Sequence, residues 1–113
     1  MNTKNTQDQS LASAEKQSVS ILGSTGSIGQ STLEVLALHP ERFHLFALSA
    51  NTRADLLLSQ CEKWQPDYAV LRDSEQAEWL EQSLIEKGLA TQLLHGSDGL
   101  DFIAGHESVD IVM

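Results

Sequence analysis

Val19-Ser20-Ile21-Leu22-Gly23-Ser24-Thr25-Gly26-Ser27-Ile28-Gly29 is the stretch on which the fold turns. Its first four residues are a short, partly β-branched apolar run closed by glycine, as a buried strand is. Gln30 to Leu38 then reads as a helix, with Ile28, Thr32, Val35 and Leu36 expected on its inner face. His39-Pro40 ends it, because the residue before a proline avoids the α region. Strand, glycine loop and helix thus follow one another without a spacer.

The three glycines have the spacing GxxGxxG, and each has its own expected duty. Gly23 allows the tight turn out of the strand. Gly26, with no Cβ, lets a pyrophosphate come close to the backbone. Gly29 lets the helix pack on the strand. The first-turn N–H groups and the helix dipole then favour an anion at this place, with Thr25 and Ser27 adding hydroxyls. No Gly-Lys-Ser/Thr follows, so the loop is not a P-loop.

Outward from the loop, strands and helices alternate. Phe43 to Ser49 is the second expected strand. Arg53 to Trp64 is the second helix, with Leu57, Cys61 and Trp64 on one side. Tyr68 to Leu71 is the third strand. Asp73-Ser74 caps a third helix running to about Lys87, with Ala77, Leu80 and Leu84 inward and Gly88 as its C-terminal cap. Thr91 to Leu94 is a short strand, Asp98 to Ala104 a short helix, and Val109 to Met113 begins a further strand. Repeated strand–helix units imply right-handed crossovers and a parallel sheet. The expected fold class is α/β: a Rossmann-like doubly wound parallel sheet. A buried strand running to the last residue leads us to expect a fragment of a larger multidomain enzyme. Residues 18–113 are then an incomplete NADP-binding domain, preceded by a disordered polar tail over residues 1–17.

Cofactor choice is read at the end of the second strand. An NAD-preferring fold carries an acidic residue there for the ribose 2′-hydroxyl. This chain has Ala47-Leu48-Ser49-Ala50-Asn51-Thr52-Arg53, with no carboxylate before Asp55. Arg53 can pair bidentately with a 2′-phosphate, and Asn51 and Thr52 can add hydrogen bonds, so NADP is favoured.

The 113 residues make at most one domain, 41% apolar and 20% charged. A net charge of -9 argues against nucleic acid and anionic membranes as partners. The polar first 17 residues lack the apolar core of a signal peptide. One cysteine, Cys61, builds no disulfide framework and fits a reducing cytoplasm; it reads as a small apolar helix residue. His39, His44, His95 and His106 show no ligand spacing, and none is assigned to catalysis. Trp64 and Trp79 read as packing residues, and Glu75, Glu78, Glu81 and Glu86 as the wet face of a helix.

The run ILGSTGSIGQSTLEVLALHPERF, Ile21 to Phe43, closely resembles the start of the 1-deoxy-D-xylulose 5-phosphate reductoisomerase family. So do Ala47-Leu48, the Cys61 helix, Pro66-Asp67-Tyr68-Ala69-Val70, and the closing Val109-Asp110-Ile111-Val112-Met113. The likeness covers essentially Val19 to Met113. It implies NADPH-dependent rearrangement and reduction of 1-deoxy-D-xylulose 5-phosphate to 2-C-methyl-D-erythritol 4-phosphate, in non-mevalonate isoprenoid biosynthesis. It also implies Mg²⁺ or Mn²⁺, held by residues outside this chain, and a homodimer at full length. By position, the family's cofactor contacts match Thr25, Gly26, Ser27 and Ile28, and a second segment matches Asn51, Thr52 and Arg53. Many members carry a Gly-Lys/Arg-Asn-like stretch at the second place. This sequence departs from it, which leaves open which of the three side chains meets the 2′-phosphate. No catalytic or metal-binding residue is assigned within the chain, and the chain alone is expected to be inactive. Two alternatives remain at this level: another NADP-dependent reductase of the semialdehyde dehydrogenase kind, and a non-catalytic nucleotide-sensing module.

Overall fold

The computed structural model describes residues 16–113. Most of the polar tail expected over residues 1–17 lies outside them. The first strand, β1, begins at Gln17 rather than Val19 and runs Gln17–Ile21, with Gln17 already paired to Phe43. Four more strands follow: β2 (Phe43–Ala50), β3 (Tyr68–Leu71), β4 (Gln92–His95) and β5 (Ile111–Val112). The helices between them are α1 (Ser27–Ala37), α2 (Ala54–Trp64), α3 (Ala77–Glu86) and α4 (Gly96–Gly105), with a 3-10 turn at Ser74–Gln76. The turn and α3 together occupy the expected third helix. Asp73 caps the turn by accepting from the Glu75 N–H at 3.0 Å.

All four strand pairings are parallel, in the order β4-β3-β2-β1-β5. The chain moves outward from β1 to β4, then crosses back to place β5 on the other side of β1. That reversal decides which face each helix covers. A right-handed crossover lays its helix on one face when the chain steps one way and on the opposite face when it steps back. Leu33 and Leu36 of α1, Leu57, Leu58 and Cys61 of α2, and Leu80 and Leu84 of α3 pack in one core with Val19, Ile21, Leu48, Ala69 and Leu71. Ile103 and Leu100 of α4 pack on the other face with Phe46, Ala47 and Val70. The sheet is doubly wound, as expected.

Three local features depart from a plain reading of the sequence. In β2 the register slips: Val19 pairs with Leu45 and Ser20 with Ala47, so Phe46 is an extra residue. This bulge puts Phe46 and Ala47 against the α4 side, and Leu45 and Leu48 against the other. In α1 the expected inner face is corrected. Gly29, Leu33 and Leu36 are the buried residues, whereas Ile28 is 83% and Val35 57% exposed. The helix also begins three residues earlier than read, at Ser27, and so includes Gly29. Trp79 is likewise corrected: it is 48% exposed on α3, whose core residues are the expected Ala77, Leu80 and Leu84. No helix among the described residues is long and apolar enough to cross a membrane.

Candidate dinucleotide-binding site

Ligands of doubly wound sheets sit outside the carboxyl ends of the strands, where the strand order reverses. Here that point lies between β1 and β5. Leu22 N–H donates to the Met113 carbonyl at 2.9 Å, and Met113 N–H to the Ser20 carbonyl at 2.9 Å, which closes the floor. Above it is a crevice of about 300 Å³ lined by Gly23, Gly26, Ser27, Ile28, Thr32 and Met113, among others. A hollow of equal volume lies among Leu36, Phe43 and Trp64. It opens beside the start of β2, at the end of the sheet remote from the glycine loop, so the crevice at the switch point is the candidate site.

Gly23 and Gly29 serve as the sequence requires, each for its own reason. Gly23 adopts φ +70°, a left-handed turn that carries the chain out of β1. A Cβ on Gly29 would stand 2.4 Å from the Gly23 carbonyl oxygen and 2.6 Å from the Ser24 Cα, so α1 can meet the loop only through glycine. Gly26 is different. Its φ is -75°, and a Cβ there would make only one ordinary contact, 3.5 Å from the Gly23 oxygen. Nothing inside the protein requires glycine at position 26, and its outer side is open. Gly26 is also the N-cap of α1, with no side chain capping the helix. Among the described residues, nothing accepts from the N–H groups of Ser27, Ile28 and Gly29. These are the donors that a helix start leaves free and that an anion satisfies.

Below the loop lies a buried polar network. Ser24 is fully buried, and its N–H donates to the Ser49 carbonyl at 2.8 Å. Ser49 Oγ accepts from the Gly23 N–H at 3.0 Å. From α2, Gln60 Nε2 donates to the Ser24 carbonyl at 2.8 Å. The Ser24 hydroxyl lies 2.7 Å from Gln60 Oε1 and 3.2 Å from the Ser49 carbonyl, so its single hydrogen has two acceptors to choose between. Sequence reasoning passed over Ser24, Ser49 and Gln60. The available signal was a glutamine set in the apolar face of a helix, between Leu57 and Cys61.

Asn51, Thr52 and Arg53 are all exposed, just past the end of β2. They sit one strand away from the loop, since Ile21 pairs with Leu48 and Gly23 bonds to Ser49. Arg53 directs Nε to Asp55 Oδ1 at 3.2 Å and Nη2 to Oδ2 at 3.4 Å. That hydrogen bond raises the guanidinium pKa; it also lowers the Asp55 carboxyl, helped by the Leu56 N–H. Both groups are solvated, so the pair is weak and open to exchange with a phosphate. The structure brings a second arginine to the same edge. Arg72 follows β3, its N–H donates to the Ala50 carbonyl at 2.9 Å, and its side chain has no carboxylate partner among the described residues. A basic residue directly after the third apolar run was the signal for it.

The unassigned residues have other placements. His44 is exposed on β2, with Nε2 2.8 Å from Asp67 Oδ2. His95 ends β4, and His106 stacks 5.0 Å from both Phe46 and Phe102. Cys61 is buried, and burial pushes its thiol up to about 12. Among the described residues, no three His, Cys, Asp or Glu side chains gather where they could hold a metal ion.

A doubly wound domain with an uncapped glycine loop at its switch point defines a Rossmann-like class of protein. The family model for 1-deoxy-D-xylulose 5-phosphate reductoisomerase matches residues 19–113, and the chain belongs to that family. A 1-deoxy-D-xylulose 5-phosphate reductoisomerase from Cellvibrio japonicus is 50% identical over 97 residues, and one from Nitrosospira multiformis 50% over 95. These cover 86% and 84% of this chain but 24% of each relative, so the chain spans about a quarter of their length. Among solved structures, DOX-P reductoisomerase in complex with NADPH, fosmidomycin and magnesium superimposes with a TM-score of 0.79 at 41% identity, over 85% of this chain and 23% of that one. The Zymomonas mobilis enzyme in complex with NADPH gives 0.76 at 29%, over 83% and 24%.

Proposed function

We propose that this chain is the NADPH-binding portion of a 1-deoxy-D-xylulose 5-phosphate reductoisomerase. The observation that carries this reading is the glycine loop at the switch-point crevice, with three unpartnered N–H groups and an open Gly26, in a chain of that family. The cradle fits a dinucleotide. Ser27, Ile28 and Gly29 hold the pyrophosphate by their free backbone N–H groups, Thr25 and Ser27 add hydroxyls, and Gly26, whose own N–H bonds to the Gly23 carbonyl, leaves the room for its approach. Gly23 and Gly29 shape the turn that presents them. Asn51, Thr52 and Arg53 receive the adenosine ribose and its 2′-phosphate, and Arg72 lies near enough to strengthen the positive edge. When bound, NADPH supplies the hydride for reduction.

Relatives solved with magnesium motivate a divalent ion in the whole enzyme. The described residues do not gather a ligand set for one, so we assign the metal, the substrate contacts and the catalytic groups to other parts of the protein. The same reading takes in a reaction from 1-deoxy-D-xylulose 5-phosphate to 2-C-methyl-D-erythritol 4-phosphate, a homodimer and a cytoplasmic setting with no nucleic-acid partner. The test is to purify the full-length enzyme and follow nicotinamide absorbance with Mg²⁺ or Mn²⁺ and 1-deoxy-D-xylulose 5-phosphate. Substrate-dependent NADPH oxidation is the expected result. Tight NADPH binding without turnover would leave a nucleotide-sensing module instead.

A further inference from the structure

We propose that Gln60, on α2, is the positioning residue that holds the glycine loop in its cofactor-binding shape; this rests on the loop being the pyrophosphate cradle. Gln60 is only 6% exposed and spends both ends of its amide on one residue, Ser24. A carbonyl oxygen can only accept, so the amide nitrogen must face the Ser24 carbonyl, which leaves Oε1 for the Ser24 hydroxyl. For packing alone, a leucine at this position would extend the apolar face of Ala54, Leu57, Leu58 and Cys61. The buried amide instead grips the loop.

The grip has a consequence for the donors. The peptide from Ser24 to Thr25 is planar and trans, so its carbonyl and its N–H point in opposite directions. Holding the Ser24 carbonyl toward α2 therefore aims the Thr25 N–H away from α2, and that N–H has no partner among the described residues. Gly29 closes on Ser24 from α1, and Ser49 holds it from β2, so Ser24 is fixed on three sides while the residues after it stay free to bind. Arg53 precedes the same helix that carries Gln60. One rigid element thus joins the loop that meets the pyrophosphate to the segment that meets the 2′-phosphate. A loop held in its bound shape loses less freedom when the ligand arrives, and affinity rises accordingly.

The experiment uses the full-length enzyme with NADPH as the probe. Gln60→Met keeps the side chain's length and removes both bonds; Ser24→Ala removes the hydroxyl bond alone. Leu84→Ala, in the same core but on α3, is a control for loss of stability by itself. For Gln60→Met, the expected result is a rise in the NADPH Kd of about tenfold, as two modest hydrogen bonds allow. Substrate KM and kcat at saturating NADPH should stay within about twofold of the parent. Ser24→Ala should raise Kd less, and the double variant less than the product of the two, because the residues act as one unit. Leu84→Ala should lower Tm and leave Kd unchanged. If Gln60→Met does not fold, Ser24→Ala against Leu84→Ala decides the matter. An unchanged Kd, or an equal rise in Leu84→Ala, overturns the positioning role while leaving the cradle intact. A parent enzyme that does not bind NADPH overturns both.

Discussion

Gly29 lies so close against Gly23 that a Cβ at position 29 would stand 2.4 Å from the Gly23 carbonyl oxygen. The obstacle is backbone, not a flexible side chain, so it cannot swing aside. Gly29→Ala should therefore push α1 off the loop and cost on the order of 2 kcal/mol or more of stability. Urea unfolding of the variant beside the parent measures this. A loss under about 0.5 kcal/mol, the size of an ordinary surface change, would mean that the loop yields easily.

Gly26 should behave in the opposite way. Its Cβ would meet nothing closer than 3.5 Å, so Gly26→Val is expected to fold with nearly the parent's Tm. The branched side chain would nevertheless occupy the space a pyrophosphate needs. A loss of NADPH affinity of about 2 kcal/mol or more is expected in the full-length enzyme, read by fluorescence titration. Unchanged affinity would show that the loop does not cradle phosphates.

Arg53 sets the third expectation. No carboxylate precedes Asp55 at the end of β2, and the Arg53–Asp55 pair is solvated, so the guanidinium is available to a 2′-phosphate. The parent should prefer NADPH to NADH. Arg53→Ala should cost NADPH roughly tenfold in kcat/KM, the worth of one charge-assisted contact, and leave NADH nearly unaffected. Equal losses for both cofactors would instead assign the preference elsewhere, with Arg72→Ala the next variant to make.

Cys61 makes a prediction in pH. Burial raises its thiol from an ordinary 9.0 to about 12. Above pH 9 the unfolded chain gives up this proton while the folded chain keeps it, so unfolding is favoured as pH rises. The contribution is fully present below pH 9 and is lost progressively toward pH 12. Native protein at pH 8 should react with a thiol reagent only as fast as it opens, and urea should abolish the protection. Rapid labelling of the native protein would show that the α2 core is open to solvent.

The chain as given should neither turn over substrate nor bind Mn²⁺ above background, because its described carboxylates do not converge. Mixing it with NADPH, Mn²⁺ and 1-deoxy-D-xylulose 5-phosphate tests this. NADPH oxidation scaling with its concentration would place catalytic groups within these residues.

The succession of strands and helices was legible because its signals are local: short β-branched runs, helical spacing on α2 and α3, and caps at Asp73 and Gly88. The glycine loop was legible for the same reason. Its position between a strand and a helix gave each glycine a duty that the backbone geometry of Gly23 and Gly29 bears out. What the sequence left undetermined depends on neighbours far along the chain. Helix α1 carries apolar residues on several sides, Ile28, Leu33, Val35, Leu36 and Ala37 among them, so its periodicity selects no single face. The contact of Gly29 with Gly23 and Ser24 turns Leu33 and Leu36 inward and leaves Ile28 and Val35 outside. The bulge at Phe46 sorts the side chains of β2 between two cores, and it arises only from pairing with β1. The bond between Gln60 and Ser24 joins residues 36 positions apart, which only the packing of α2 beside the loop brings together. Hydrophobic spacing reports what a segment becomes; which of its surfaces is buried, and which polar groups meet there, is decided when the segments pack against one another.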